Sequence, residues 1–114
     1  MEDFIVKAVE RVIRTMQDSL GEPITIDDMA RSACLSKFHF IRLFHVLEGV
    51  TPYRYLQQKR VAAAQRLLAT TQLSHVEIAD QVGFDHRSTM FRHMRRETGR
   101  SGRQWRHRSA ERSL

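Results

Sequence analysis

Between Gly83 and Arg100 the sequence reads GFDHRSTMFRHMRRETGR, with five arginines and two histidines set among Phe84, Met90, Phe91 and Met94. Three kinds of chemistry use such residues: metal ligation through imidazoles, acid–base catalysis, and the gripping of a polyanion. His86 and His93 are seven apart and can share a helix face, and His39 and His45 are six apart. No thiol or carboxylate cluster completes a tetrahedral set with either pair, and no H-E-x-x-H spacing occurs. The single Cys34 excludes an internal disulfide framework and a cysteine-based zinc site. A Gly-rich phosphate loop, a nucleophile elbow and a carboxylate pair are all missing, so the sequence offers no catalytic residue, metal or cofactor, and no enzyme is expected.

The distribution of charge supports the third chemistry. The net charge is +6 over 114 residues. Through Gly83 the lysines and arginines are matched by equal numbers of aspartates and glutamates. From Phe84 onward nine arginines face only Asp85, Glu97 and Glu111, so the whole excess lies in the last 31 residues. Every one of these cations is Arg, whose planar fork suits phosphate and guanine better than the point charge of Lys. Basic composition alone is nonspecific, so the elements that carry the arginines must decide.

Those elements read as helices throughout. Ile5, Val9, Val12, Ile13, Met16 and Leu20 follow a helical period and predict an amphipathic helix over about residues 3–20, stopped by Gly21-Glu22-Pro23. Met29, Ala30 and Ala33 mark a short helix opened by Asp27. Ser36 can cap the next helix, whose inward side is Phe40, Leu43, Phe44 and Leu47, and Gly49 ends it. Thr51-Pro52 starts a long helix to about Ala69, Ser74 opens a short one to Val82, and a last helix covers about Arg87 to Glu97. No segment alternates at period two, so the expected fold class is all-α. No apolar run approaches the ~18 residues of a membrane span, and the N-terminus lacks a secretory pattern, so a soluble, cytoplasmic protein is expected.

Two parts of the chain repeat one another. A shift of 49 residues pairs Ala30 with Ala79, Ala33 with Val82, and Cys34 with Gly83. After one inserted residue, a shift of 50 pairs Phe40 with Met90, Arg42 with Arg92, Phe44 with Met94, Gly49 with Gly99 and Tyr55 with Trp105. Each copy has a small residue where two helices cross and a turn position suited to a left-handed backbone, which Gly83 adopts more comfortably than Cys34. The reading is two helix–turn–helix units, 1–50 and 71–108, joined by a linker helix over 51–70, with a tail at 109–114. A linker of about 18 residues is a rod of roughly 27 Å. With the packing at its ends added, two recognition helices can lie ~34 Å apart, the spacing of successive major-groove segments.

These residues resemble the DNA-binding domain of AraC/XylS-type transcription regulators, over about Phe4 to Arg106. IADQVGFDHRSTMFRHMRRETGRS is similar to the family signature I-A-x-x-x-G-F-x-x-x-S-x-F-x-R-x-F-K-x-x-x-G-x-(S/T)-P, and LSKFHFIRLFHVLEGVTPYRYLQQKRVAAAQRLL matches the first repeat and linker, including Arg60, Ala64 and Leu67-Leu68. Met90 and Met94 stand where the family usually has Phe, Gly102 where it has Pro, and Arg95 where it has Lys. The resemblance implies promoter binding, most often activation through bacterial RNA polymerase, and a chain that is either a short stand-alone member or the DNA-binding part of a larger regulator. A monomer on DNA is expected.

On the first recognition helix, Phe38, Ile41 and Arg42 are the base-reading candidates: Arg42 for the forked contact to guanine, Phe38 and Ile41 for thymine methyls or sugar edges. Core packing is the rival reading of Phe38. Ser36, Lys37 and His45 are phosphate candidates. On the second helix the resemblance places Arg87, Ser88, Thr89, Phe91 and Arg92 toward the groove. An ion pair with Asp85 or Glu97 is the rival for Arg92. His93, Arg95 and Arg96 suit phosphates, Arg103, Arg106 and Arg108 extend the basic surface, and Trp105 matches Tyr55 as a core anchor. The function expected is sequence-specific binding of duplex DNA by a transcription regulator. A basic RNA-binding module and a protein-interaction module are the alternatives, although no RNP-type aromatic strand or GXXG loop is present.

Overall fold

The computed structural model describes residues 3–100. Six helices follow one another: α1 (Asp3–Asp18), α2 (Ile26–Ser32), α3 (Lys37–Glu48), α4 (Pro52–Thr70), α5 (His75–Val82) and α6 (Arg87–Thr98). No strand occurs among the described residues, and none of their helices is long and apolar enough to cross a membrane. The fold is all-α, and the chain divides into two compact units, Met1–Leu56 and Gln57–Leu114, with the division falling inside α4. Gly102, Arg103, Trp105, Arg106 and Arg108, singled out above, lie outside the described residues.

In the first unit α1 contributes Ala8, Val9, Val12 and Met16 to a core completed by Met29, Ala30, Ala33, Phe40, Phe44 and Leu56. Phe44 meets Phe40 at 5.7 Å between ring centroids and takes the edge of Tyr55 at 5.4 Å. Such tilted aromatic contacts add to the apolar burial that holds α3 in place. The start of α2 differs from expectation. Its N-cap is Thr25, not Asp27: the Thr25 hydroxyl accepts from the Asp28 N–H, and the Asp28 carboxylate accepts from the Thr25 N–H. This reciprocal box satisfies two otherwise orphaned donors and holds the Asp28 carboxyl below its ordinary value, chiefly through the Thr25 hydrogen bonds. Asp27 is exposed in the first turn, where its charge complements the helix dipole.

In the second unit Ile78, Ala79, Val82, Phe84, Met90 and Met94 are buried, as are Val61, Ala64 and Leu68 of α4. Met90 and Met94 are fully inaccessible, as are their counterparts Phe40 and Phe44. The exchange of Phe for Met therefore keeps each core position apolar while changing its shape and stiffness.

The repeat extends to the hydrogen bonds of each turn. The Leu35 N–H donates to the Ala30 carbonyl at 3.0 Å, and the Phe84 N–H to the Ala79 carbonyl at 2.8 Å. One residue earlier, the Cys34 N–H reaches the Arg31 carbonyl and the Gly83 N–H the Asp80 carbonyl. These paired bonds close the helix end in the manner of a Schellman motif, which requires a left-handed residue at Cys34 and at Gly83. Both adopt it, with φ of 58° and 100°.

Candidate nucleic-acid interface

Ser36 starts α3, its hydroxyl accepting from the His39 N–H at 3.2 Å. From there Phe38, Arg42 and Val46 follow at i, i+4 and i+8 and form one exposed stripe. Phe38 is 77% exposed and Val46 67%. Phe38 thus packs into no core among the described residues, and a large aromatic left in solvent is available to a partner. Ile41, expected to point outward, is half-buried against the core of the first unit. Leu43, assigned to the inward side, is half-buried and not part of that core. Lys37, Ser36 and His45 are exposed. Val46 was missed by sequence reasoning, although its spacing of four from Arg42 was the signal that could have found it.

α6 presents the matching stripe as Ser88, Arg92 and Arg96, with Arg87 and Arg95 also exposed. Neither Arg92 nor Asp85 makes an ion pair among the described residues, nor do Arg42, Arg87, Arg95 and Arg96. These guanidiniums are left with their donors uncommitted, as a surface for phosphate and base edges requires. Thr89 and Phe91 are half-buried, and Phe91 takes His75 of α5 edge-on at 4.9 Å. His93 is half-buried as well, stacked on Phe84 at 5.3 Å and 29°. Its pKa lies below the ordinary histidine value, first through burial and then through the cations of Arg92, Arg96 and Arg60, with Glu97 acting the other way. The imidazole expected at phosphates instead lies against the turn of its own unit. No group of three or more His, Cys, Asp or Glu suited to a metal ion occurs among the described residues.

The two units differ in how their recognition helices begin. Ser36 caps α3 with its side chain, whereas His86, at the same place before α6, makes no side-chain capping bond. They differ also in polarity, since the stripe of α3 is Phe–Arg–Val and that of α6 is Ser–Arg–Arg.

A family model described as a helix-turn-helix domain matches residues 29–108, which is most of the chain. The chain belongs to the AraC-type helix-turn-helix family. This AraC-type domain is 29% identical over 100 residues to the regulatory protein SoxS of Salmonella typhimurium, covering 88% of this chain and 94% of SoxS. It is 32% identical over 99 residues to the transcriptional activator RhaR of Salmonella schwarzengrund, covering 87% of this chain and 35% of RhaR. The chain thus spans nearly all of one relative and about a third of the other. Its structure is similar to that of the DNA-binding domain of the global transcriptional factor AdpA in complex with a target DNA, with a TM-score of 0.88 and 31% identity. That likeness covers 92% of this chain and 95% of the AdpA domain. The AraC-type family is one of non-enzymatic transcription regulators.

Proposed function

We propose that this AraC-type chain is a bacterial transcription regulator that binds a specific duplex DNA site through α3 and α6, and that it acts as an activator. The observation that carries the proposal is the matched pair Arg42 and Arg92, each exposed on the second helix of a duplicated unit and free of ion pairs among the described residues. Arg42 and Arg92 are read as forked contacts to guanine, Phe38 as an apolar contact to a thymine methyl, and Lys37, Arg95 and Arg96 as phosphate contacts. Ser88 and Arg87 share the groove-facing edge of α6, with Thr89 and Phe91 supporting it. One monomer takes two half-sites in successive major-groove segments, and contact with RNA polymerase, in the cytoplasm, turns binding into activation.

Selection of binding sites from random duplex DNA tests the reading. The expected result is an asymmetric motif in two half-sites about ten base pairs apart. Absence of enrichment over bulk DNA, or equal retention of single-stranded RNA, sinks it.

A further inference from the structure

The first unit holds a recess that no part of the DNA-binding reading uses. It lies between α1, the segment around Pro23 and Ile24, and α2, with a volume of about 150 Å³. Its floor is core: Val12, Met16 and Met29 line it, and each is buried. The recess is partly open to solvent and its exposed lining is mostly apolar, so a benzene-sized guest seated in it displaces water from apolar surface. An apolar guest there regains dispersion contacts that the walls lack.

The rim sets the polarity of the guest. The Thr15 hydroxyl donates to the Arg11 carbonyl at 3.0 Å and is committed. The Ser32 hydroxyl makes no hydrogen bond among the described residues. Asp28 places a carboxylate on the same rim, ionised and held by Thr25, with only a long, exposed contact of 3.6 Å to Arg31. A hydroxyl or amine entering over the apolar floor finds an acceptor in Asp28 and a second partner in Ser32. A carboxylate of the same shape meets like charge.

We propose that this recess is a small-molecule site for a monocyclic, largely apolar compound bearing one hydrogen-bond donor, such as an aryl alcohol. The site belongs to the helix pair that sets α3, since the turn after α2 is where the Leu35 N–H returns to Ala30. It therefore lies on the element that positions the first recognition helix.

The test is a titration of the full chain with benzyl alcohol and, separately, benzoate, followed through the methyl signals of Val12, Met16 and Met29 by NMR. Saturable shifts with benzyl alcohol in the millimolar range are expected, with benzoate weaker by roughly 3-fold from screened charge repulsion. Ser32→Leu, which extends an apolar side chain toward the recess from an exposed helix position, removes the shifts while the melting temperature holds. Thr15→Leu provides the same test from α1 should the first variant fold poorly. Linear, unsaturable shifts, equal response to benzoate, or undiminished binding in folded Ser32→Leu and Thr15→Leu overturns the proposal.

Discussion

Cys34 and Gly83 occupy the same left-handed turn position forty-nine residues apart, at φ 58° and 100°, each followed by an N–H that returns to the buried alanine of its unit. A side chain at such a φ brings Cβ close to the following carbonyl, and glycine avoids this at the cost of greater freedom when unfolded. The two turns thus do the same work with unequal strain. Cys34→Gly is expected to stabilise the first unit by about 1 kcal/mol, the left-handed penalty less the glycine entropy. Gly83→Ala should destabilise the second by a similar amount. Urea midpoints of the two variants check this, and a loss of stability in Cys34→Gly would show that the thiol's contacts outweigh the strain.

A second asymmetry concerns helix starts. Ser36 supplies α3 with a side-chain acceptor and His86 supplies α6 with none. His86→Ser is expected to gain about 1 kcal/mol of stability by capping an open N–H. Ser74→Ala, which removes the acceptor now taking the Glu77 N–H at 3.1 Å, should lose about the same. Thermal or urea unfolding measures both. No gain in His86→Ser would mean that the backbone before α6 holds a serine out of capping geometry.

Much of this architecture was legible in the sequence because it is written twice. Fully buried Phe40, Phe44, Met90 and Met94 stand at matching positions, and the glycines at 49 and 99 adopt the left-handed conformation that their place after a helix implies. What stayed hidden depends on local competition or on packing between helices. Thr25 won the cap from Asp27 because the residue three later, Asp28, closes a reciprocal box that Asp27 cannot form. Ile41 turned partly inward because helical period gives a face only to within about one residue position, and the neighbouring core decides the rest. The contacts of His75 with Phe91 and of Phe84 with His93 join side chains from different elements, which periodicity does not report.

The reading of bases should separate from the holding of phosphates when α3 is altered. Arg42→Ala is expected to lose roughly 1–3 kcal/mol on the selected site and to relax preference at one position of one half-site. Phe38→Ala should weaken that same half-site while leaving stability nearly unchanged, since the ring is 77% exposed. Quantitative binding to a panel of single-base variants distinguishes the outcomes. Equal weakening on every sequence would demote Arg42 to a phosphate contact.

The two units should differ in their response to salt. Arg95 and Arg96 are exposed on α6 and free of ion pairs among the described residues, whereas α3 carries Phe38 and Val46 on its stripe. Removing one phosphate contact by Arg95→Gln or Arg96→Gln should lower the slope of log K against log salt by about 1 each. Phe38→Ala should leave that slope unaltered. Affinities measured between low and moderate salt decide the matter, and an unchanged slope in both Arg variants would place those side chains away from the backbone of the DNA.

His93 gives the second unit a dependence on pH. Its ring is half-buried on Phe84 beside Arg92 and Arg96, and burial followed by those cations holds its pKa below the ordinary value near 6.5. The neutral ring is therefore the form the fold prefers. As pH falls through the ordinary value, the unfolded chain binds a proton that the folded chain still refuses, so stability drops with acidity and levels off below the folded pKa. Attraction of a protonated ring to Phe84 works against this, yet the direction of the shift shows burial and like charge prevailing. His93→Gln should flatten the loss of stability between neutral and mildly acid pH, read as urea midpoints at each pH. A variant whose pH slope matched the parent's would remove His93 as the source, and a steeper one would mean that its protonation had been stabilising the fold through Phe84.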